Sequence, residues 1–370
     1  MKKTLVAAAM LGSFAASAFA APNFDIYGKI DTGLVYSHAN YDDGTSSEDV
    51  LSMESGWNAG SRWGLKGTED LGNAKVGFIL ESGFSSDSGV SGQNGRLFGR
   101  QATVSVSSAY GTLYAGRLGS VSSDMGTVGM LGGVSPFGSS FADLGTHGST
   151  GNAWARYDNA IAYASPVFNG FYANAMYSFK ADTKNKDEEK ADENRGDATR
   201  YAAAGIGYKA GALDAVFVVD YNIYGNKTTQ INDGWSMILG GNYDFGVATG
   251  YAKVTYFDRQ IENDCNDSFG IIFTDDDDTA EAIKGWGMSF GAKVPAFGGN
   301  FLAEIGYRDA KNVDNHANEY KRWNVTMGYN YTLSKRTSVY ATGGYVQEKD
   351  KANNQTPHGV LVGAGLIHNF

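Results

Sequence analysis

The sequence predicts an all-β protein, a 16-stranded antiparallel transmembrane β-barrel with short turns at one end and long loops at the other. Two observations support this fold class: apolar and polar residues alternate along many short segments, and short and long breaks between those segments take turns along the chain. The 370 residues include 50 Gly and are 13% aromatic, which suits tight turns and aromatic rings at a membrane interface.

Residues 1–20 are predicted to be a secretory signal peptide. Two lysines follow Met1, an apolar run extends over residues 5–16, and the triplet Ala-Phe-Ala at residues 18–20 matches a small-x-small cleavage site. The run is too short for a spanning helix, and no later stretch approaches the roughly 18 uninterrupted apolar residues that such a helix needs. We therefore expect residues 21–370 to form the mature barrel domain outside the cytoplasm.

The charge of the mature chain excludes one class of partner. Without the two lysines of the signal peptide, 28 Lys and Arg remain against 40 Asp and Glu, a net charge of −12. Nucleic acid is not expected as a partner, because binding to its phosphate backbone requires clustered basic residues. The single cysteine cannot form an internal disulfide.

The predicted strands begin soon after the cleavage site. Over residues 24–36 the even positions are mostly apolar, whereas the odd positions include Asp25, Lys29 and Asp31. The same alternation recurs in four further segments, at residues 62–66, 75–81, 156–163 and 359–370. Each of these segments is therefore predicted to be a strand with one apolar face.

The connections between strands fall into two sets. Short connections with turn-forming residues and nearby aromatic rings are predicted at residues 68–73, 107–112, 165–170, 208–213, 243–247, 295–300 and 331–337. Long connections are predicted at residues 39–53, 85–96, 118–155, 181–199, 225–232, 260–284, 310–320 and 348–358. Seven short and eight long connections join sixteen strands.

Two architectures could hold so many strands: a soluble double sheet or propeller, and a closed barrel in lipid. A soluble β protein would have loops of similar length at both ends. A barrel in an outer membrane has short periplasmic turns and long extracellular loops, as this sequence predicts, and the signal peptide agrees with it. A barrel of sixteen strands leaves an aqueous lumen.

The third long loop, residues 118–155, carries few charges for its length. Apolar side chains such as Met130, Val134 and Phe137 indicate that it packs against another surface. We expect it to fold into the barrel, narrow the pore, and direct Asp124 and Asp143 towards the opposite wall. The alternative is an ordinary loop that points outwards.

Several motifs follow one another in a specific order. They are DIYGK at residues 25–29, SRWGLKGTEDLG at 61–72, GTLYAGR at 111–117, RYDNAIAYASP at 156–166, and a last strand that ends on Phe370. In this order and spacing, the chain resembles the general trimeric porins of Gram-negative outer membranes, in particular their beta-proteobacterial and neisserial branch. The resemblance covers essentially the whole mature chain.

This resemblance implies a constriction at which a basic wall faces acidic residues of the inward loop. The basic wall would consist of Lys29, Arg62, Arg100 and Arg156. The acidic side would be Asp143, with Asp124 nearer the stem of the loop. Alternation places three of the basic residues in the lumen, but Arg100 shares the parity of lipid-facing residues and needs a bulge or a strand end to turn it inwards. The alternative for each is a solvated position or contact with lipid headgroups.

The resemblance also bears on ion selectivity. The loop lacks the glutamate that the family often places beside residues 136–138, so basic residues outnumber acidic ones at the constriction, and we expect a mild anion preference. The acidic segments 187–193 and 275–278 would instead concentrate cations at the outer mouth. We expect the narrowest point to dominate, because the Debye length is only about 8 Å at physiological salt.

The resemblance implies passive diffusion of ions and small hydrophilic solutes through a homotrimer in the outer membrane of a Gram-negative bacterium. The expected partners are outer-membrane lipid, lipopolysaccharide, and the β-barrel assembly machinery, which would engage the C-terminal strand ending at Phe370. Small outward residues, Gly28, Ala102 and Ala115, would permit close packing between barrels. A substrate-selective porin and a barrel with a mainly adhesive or structural role are the alternatives.

Catalytic chemistry is not expected. The five histidines lack metal-ligand spacing, and no serine lies in a nucleophile-elbow context. We predict no catalytic residue, no metal site and no cofactor. Asp275–Asp278 could bind Ca²⁺, but the run lacks the pattern of a dedicated loop, so a solvated acidic tip is favoured. Cys265 is expected to be a free surface thiol.

Overall fold

The structure, a computed structural model, describes residues 23–44, 47–138, 155–184, 192–225, 232–261 and 282–370. These residues contain seventeen strands in one antiparallel sheet, and the first strand pairs with the last. The strands are β1 Asn23–Asn40, β2 Glu48–Ser55, β3 Arg62–Asp70, β4 Lys75–Gly83, β5 Gln101–Ser108, β6 Gly111–Gly119, β7 Arg156–Ala164, β8 Phe171–Ser178, β9 Arg200–Ala210, β10 Leu213–Ile223, β11 Gly234–Asp244, β12 Thr249–Ile261, β13 Ala282–Ala296, β14 Gly299–Asn312, β15 Glu319–Thr332, β16 Thr337–Asp350 and β17 His358–Asn369.

Two of these strands share one position in the barrel. β2 pairs with the second half of β1, from Thr32 to Ala39, whereas β3 pairs with the first half, from Asn23 to Lys29. The second strand of the barrel is therefore interrupted at residues 56–61. The closed barrel has sixteen strand positions, and the predicted 16-stranded fold is confirmed.

The alternation of short and long connections is also confirmed. β5 and β6 are joined by residues 109–110, and β9 and β10 by residues 211–212. At the end with these short turns, large aromatic rings are exposed in a girdle that includes Tyr110, Phe168, Phe245 and Phe297. In the part of the chain that the structure describes, no helix is both long and apolar enough to cross a membrane.

The prediction for the first long loop was wrong in its bounds. We expected a loop over residues 39–53, but β1 continues to Asn40 and β2 begins at Glu48. The sequence conceals this strand because Asp49 has the same parity as Leu51 and Met53 and so breaks the apolar alternation. There Asp49 accepts a hydrogen bond from the hydroxyl of Tyr36, at 2.6 Å.

A second correction concerns Gly28. Its outward space was predicted to receive a neighbouring barrel, but the ring of Phe370, in the same chain, occupies that space. Alternation gives the direction in which Gly28 faces but does not show that the chain terminus returns to cover it. Ala115 is exposed, as predicted.

The remaining regular elements lie in the loops. A short helical turn, Gly92–Gly95, interrupts the β4–β5 connection, and Gln93 and Asn94 within it have positive φ angles. A 3₁₀ turn, Leu131–Gly133, lies in the β6–β7 connection. That connection is the predicted inward loop, and its position decides the shape of the lumen.

Candidate functional site

The β6–β7 loop folds into the barrel over its described part, residues 120–138, as predicted. Val121 and Val128 are fully buried, and Leu131 and Val134 are nearly so. These side chains pack against lumen-facing residues of five wall strands, namely Ala160, Ala162, Met176, Tyr201, Ala203, Val216, Val218 and Ile238. Burial of this apolar surface stabilises the loop inside an otherwise polar lumen. Asp143 lies outside the described residues.

Hydrogen bonds attach the same loop to wall side chains. The amides of Asn174 and Asn242 donate from Nδ2 to the carbonyls of Val128 and Gly133, both at 2.8 Å. The Ser135 hydroxyl donates to Glu304 at 2.5 Å. These bonds lie on β8, β11 and β14, so the loop is attached across a wide arc of the wall.

A basic cluster forms on the arc of wall made by β1, β3 and β4, and Glu81 lies at its centre. Arg100 donates from Nε to Glu81 Oε1 at 2.7 Å. The Nε of Arg62 lies 3.7 Å from Glu81 Oε2, and the Tyr27 hydroxyl donates to the same oxygen at 3.0 Å. One carboxylate therefore holds two guanidinium groups and a phenol in fixed positions on the lumen wall.

The other two predicted basic residues join this cluster. Lys29 is the register partner of Arg62, and its ammonium interacts electrostatically with Arg62 and Arg100. Arg156 interacts in the same way with Arg100 and Arg62. The structure thus brings together all four basic residues that the sequence selected, from β1, β3, β7 and the residue before β5.

Arg100 enters the cluster because it lies at a strand end. It immediately precedes β5, and its backbone N–H donates to the Glu81 carbonyl at 3.1 Å. Its guanidinium passes beside Gly60, where a β-carbon would lie 2.8 Å from Nη1 of Arg100. Gly60 belongs to the interruption at residues 56–61, and its carbonyl accepts a hydrogen bond from Arg62 at 3.0 Å. The interrupted strand therefore makes room for both arginines.

Asp31 fixes that interruption. This buried carboxylate accepts hydrogen bonds from the backbone N–H groups of Asn58 and Ala59, at 2.9 and 2.7 Å. Its other oxygen accepts from the Tyr340 hydroxyl at 2.8 Å. Backbone groups that leave a sheet must find other hydrogen-bond partners when they are buried. The carboxylate of Asp31 is that partner for two N–H groups of the interruption.

On the acidic side, the structure describes only Asp124. Its carboxylate lies against Gly138 of the same loop, where a β-carbon would approach Oδ2 to 3.0 Å. Asp124 therefore packs within the loop, against Gly138. Asp275–Asp278 and Cys265 lie outside the described residues, as Asp143 does.

A second network was missed by the sequence analysis, and Asp158 of β7 is its centre. Asp158 accepts hydrogen bonds from Arg117 at 2.7 Å and from Arg96 at 3.0 Å. It also accepts from the backbone N–H and the hydroxyl of Thr183, at 2.8 and 2.7 Å. Arg96 bonds Asp182 as well, so this network ties the β4–β5 loop to the β8–β9 loop. Burial lowers the pKa of Arg96, but the bond to Asp182 and the charge of Asp158 outweigh it, and the net pKa is raised.

Local irregularity explains why Arg117 was missed. Gly116 has a φ of 132°, and the register of β6 against β7 shifts between Gly116 and Leu118. This bulge turns Arg117 towards the lumen, against simple alternation. Glu81 had a usable signal, because alternation along β4 gives it lumen parity.

A third charged group lies on the inner wall of β14, β15 and β16. Arg308 donates from Nη2 to both oxygens of Glu348 at 3.0 Å, and Arg322 Nη1 lies 3.4 Å from Glu348 Oε2. All three side chains are fully buried.

Among the described residues, no three His, Cys, Asp or Glu side chains come together as a metal site would require.

Comparisons with known proteins place this arrangement in context. The sequence profile described as Gram-negative porin matches residues 6–351. The chain is 35% identical to an outer membrane porin protein of Bordetella pertussis, over 100% of both chains. It is 25% identical to the major outer membrane protein P.IB of Neisseria meningitidis, again over 100% of both. Its fold matches the anion-selective porin from Comamonas acidovorans with a TM-score of 0.64 and 25% identity, over 95% of this chain and 100% of that one.

Proposed function

Because this chain belongs to the Gram-negative porin family, and so is a passive channel of the outer membrane, we propose that its basic wall gives the channel a mild preference for anions. The observation that carries the proposal is the cluster of Lys29, Arg62, Arg100 and Arg156 around one Glu81. Even when Asp31 is counted beside Lys29, basic groups outnumber acidic groups. Charges that face a narrow aqueous passage act on ions at short range, where salt screens them least.

The acidic side of the same constriction is proposed to come from the inward loop. Asp143 would face the basic wall, and Asp124, which lies against Gly138, would hold the loop in shape and add to its negative charge. A field between the two sides would orient polar solutes as they pass.

The direct test is the conductance of the purified protein in a planar lipid bilayer under a salt gradient. We expect large ohmic steps with a reversal potential that favours anions. In a variant with Arg62→Ala and Arg156→Ala, the steps should remain and the anion preference should fall. A strong cation preference of the wild type would overturn the assignment, and the absence of steps from inserted protein would indicate a plugged barrel.

We also propose that the channel is a homotrimer. β2 pairs with β1 alone among the described strands, so its other edge has no strand beside it. Around this edge, Leu34, Leu51 and Met53 expose more than half of their surface. An unpaired edge is costly in lipid, so a second copy is the expected cover, and the family resemblance supports three copies. Met53→Lys should shift the assembly to monomers in sedimentation experiments.

The remaining proposals concern export and assembly. Residues 1–20 would be removed, which leaves a mature chain of residues 21–370; N-terminal sequencing of the mature protein tests this. The β-barrel assembly machinery would recognise the last strand with Phe370, and lipid and lipopolysaccharide would contact the outer surface. The supporting observation is the exposure of apolar residues such as Leu239, Met327 and Val362 on outward positions.

A further inference from the structure

Four lumen-facing glycines lie beneath the inward loop, one on every second strand. They are Gly205 on β9, Gly240 on β11, Gly291 on β13 and Gly328 on β15. Residues two positions apart in a strand face the same side of the sheet. Each glycine therefore faces the same side as a buried wall residue two positions before it, for example Ile238 for Gly240 and Thr326 for Gly328. Strands in a barrel disfavour glycine unless another group approaches closely.

A group of the loop approaches each of these glycines. If each carried a β-carbon, that carbon would lie 2.5 Å from Met130 Sδ at Gly205, 2.8 Å from Val134 Cγ1 at Gly240, 2.6 Å from Pro136 Cδ at Gly291, and 3.1 Å from Phe137 Cε1 at Gly328. The first three separations are shorter than packed carbon atoms allow. The loop residues, from 130 to 137, meet the strands in chain order, from β9 to β15.

The neighbouring contacts leave the loop little freedom to adapt. Between the glycine contacts, Asn242 holds the Gly133 carbonyl and Ser135 bonds Glu304. Met130 could change rotamer, but the ring of Pro136 is rigid. A side chain at Gly291 would therefore displace the backbone of the loop rather than a flexible side-chain end.

We propose that Gly205, Gly240, Gly291 and Gly328 form a seat that sets how close the loop lies to the wall, and so determine the width of the passage and the size of solute that it admits. This inference rests on the proposed channel function. It differs from the charge argument, because these residues carry no charge and act on solute size. A methyl group added at Gly291, against the rigid ring of Pro136, would push the loop away from this wall, towards the basic cluster.

The alternative is that these glycines are needed only for packing between wall strands, because wall atoms also lie close to them. A β-carbon at Gly291 would also lie 3.1 Å from the Ala303 carbonyl, and one at Gly240 would lie 3.0 Å from the Ala252 carbonyl. At Gly328 the nearest atom is Oγ1 of the wall residue Thr342, at 2.7 Å. A useful experiment must therefore separate displacement of the loop from strain in the wall. Pro136→Ala provides this, since it removes Cγ and Cδ, the two loop atoms nearest the added methyl group.

The experiment compares wild type, Gly291→Ala, Pro136→Ala and the double variant in planar bilayers, with Gly250→Ala as control. Gly250 lies on β12, where a β-carbon would meet only Phe245, at 3.1 Å. We expect Gly291→Ala to lose roughly a fifth to a half of the single-channel conductance, since a packed interior transmits a shift of about 1 Å rather than absorbing it. The double variant should recover most of that loss, and Gly250→Ala should match wild type.

Two further readouts keep the outcome decisive. In liposome swelling, Gly291→Ala should slow the entry of disaccharides more than that of pentoses, whereas a smaller number of functional channels would slow both equally. A crystal structure of Gly291→Ala should show Pro136 displaced from β13. Unchanged conductance together with an unmoved loop would overturn the proposal that the glycines set the position of the loop. A loss of conductance that persists in the double variant would overturn it as well. If wild type forms no channel at all, the channel function fails. The crystal structure of Gly291→Ala alone then tests whether the glycines set the position of the loop.

Discussion

The ring of Phe370 lies over the backbone of Gly28, at the seam where the last strand meets the first. The two residues exchange backbone hydrogen bonds, both at 3.1 Å, from Gly28 N–H to the Phe370 carbonyl and from Phe370 N–H to the Gly28 carbonyl. The three atoms nearest a β-carbon on Gly28 all belong to that ring. The C-terminal aromatic residue is therefore part of barrel closure.

A first prediction follows for this seam. Gly28→Ala should destabilise the barrel by about 1–3 kcal/mol, because the methyl group forces the ring out of its place. The measurement is the temperature at which the folded form is lost in heat-modified electrophoretic mobility. In a Phe370→Ala background the same substitution should cost almost nothing, as a double-mutant cycle would show. Equal costs in both backgrounds would contradict the closure role.

A second prediction concerns Glu81. Glu81→Gln should raise the anion preference measured from reversal potentials, because it removes the negative charge that faces Arg62 and Arg100. It should also increase open-channel noise, since both guanidinium groups lose a fixed partner. Glu69→Gln is the matched control: Glu69 lies seven residues from Arg62 along β3, about 23 Å at the usual rise per residue. A shift of the same size in the control would show that total charge, rather than the cluster, decides selectivity.

The network around Asp158 gives a third prediction. Asp158→Asn should destabilise the outer loops by about 3 kcal/mol, because it leaves Arg96 and Arg117 without their shared carboxylate in a largely buried position. Limited proteolysis should then cleave the β8–β9 loop faster. The exposed pair Arg195–Asp192 is the contrast: Asp192→Asn should leave cleavage unchanged, as surface ion pairs contribute little. Equal cleavage rates for Asp158→Asn and wild type would exclude the network as the link between loops.

A fourth prediction separates the two acidic residues of the inward loop. Asp143→Asn should strengthen the anion preference and leave the thermal stability of the folded barrel unchanged, because its proposed role is purely electrostatic. Asp124→Asn should act mainly on the loop, with more frequent conductance substates, since its carboxylate packs against Gly138. Reversal potentials and current traces from the same bilayers distinguish these effects. Identical behaviour of the two variants would remove the distinction.

The sequence itself determined the barrel and most of its basic wall. Alternation is a local property of each strand, so it gave the lumen parity of Lys29, Arg62 and Arg156 without knowledge of any neighbour. The lengths of the breaks gave the count of strand positions and the two unequal ends. The low charge of residues 118–155 indicated an inward loop, and the structure confirms this for residues 120–138.

Only the tertiary structure decided which of these groups meet. Glu81 reaches Arg62, Arg100 and Tyr27 because the register aligns Tyr27, Gly64 and Glu81 in one row, and Gly64 has no side chain to separate the other two. The bulge at Gly116 redirected Arg117, and closure of the barrel brought Phe370 onto Gly28. The physical reason is that register, bulges and closure depend on pairing between segments distant in the chain, whereas alternation within one strand does not.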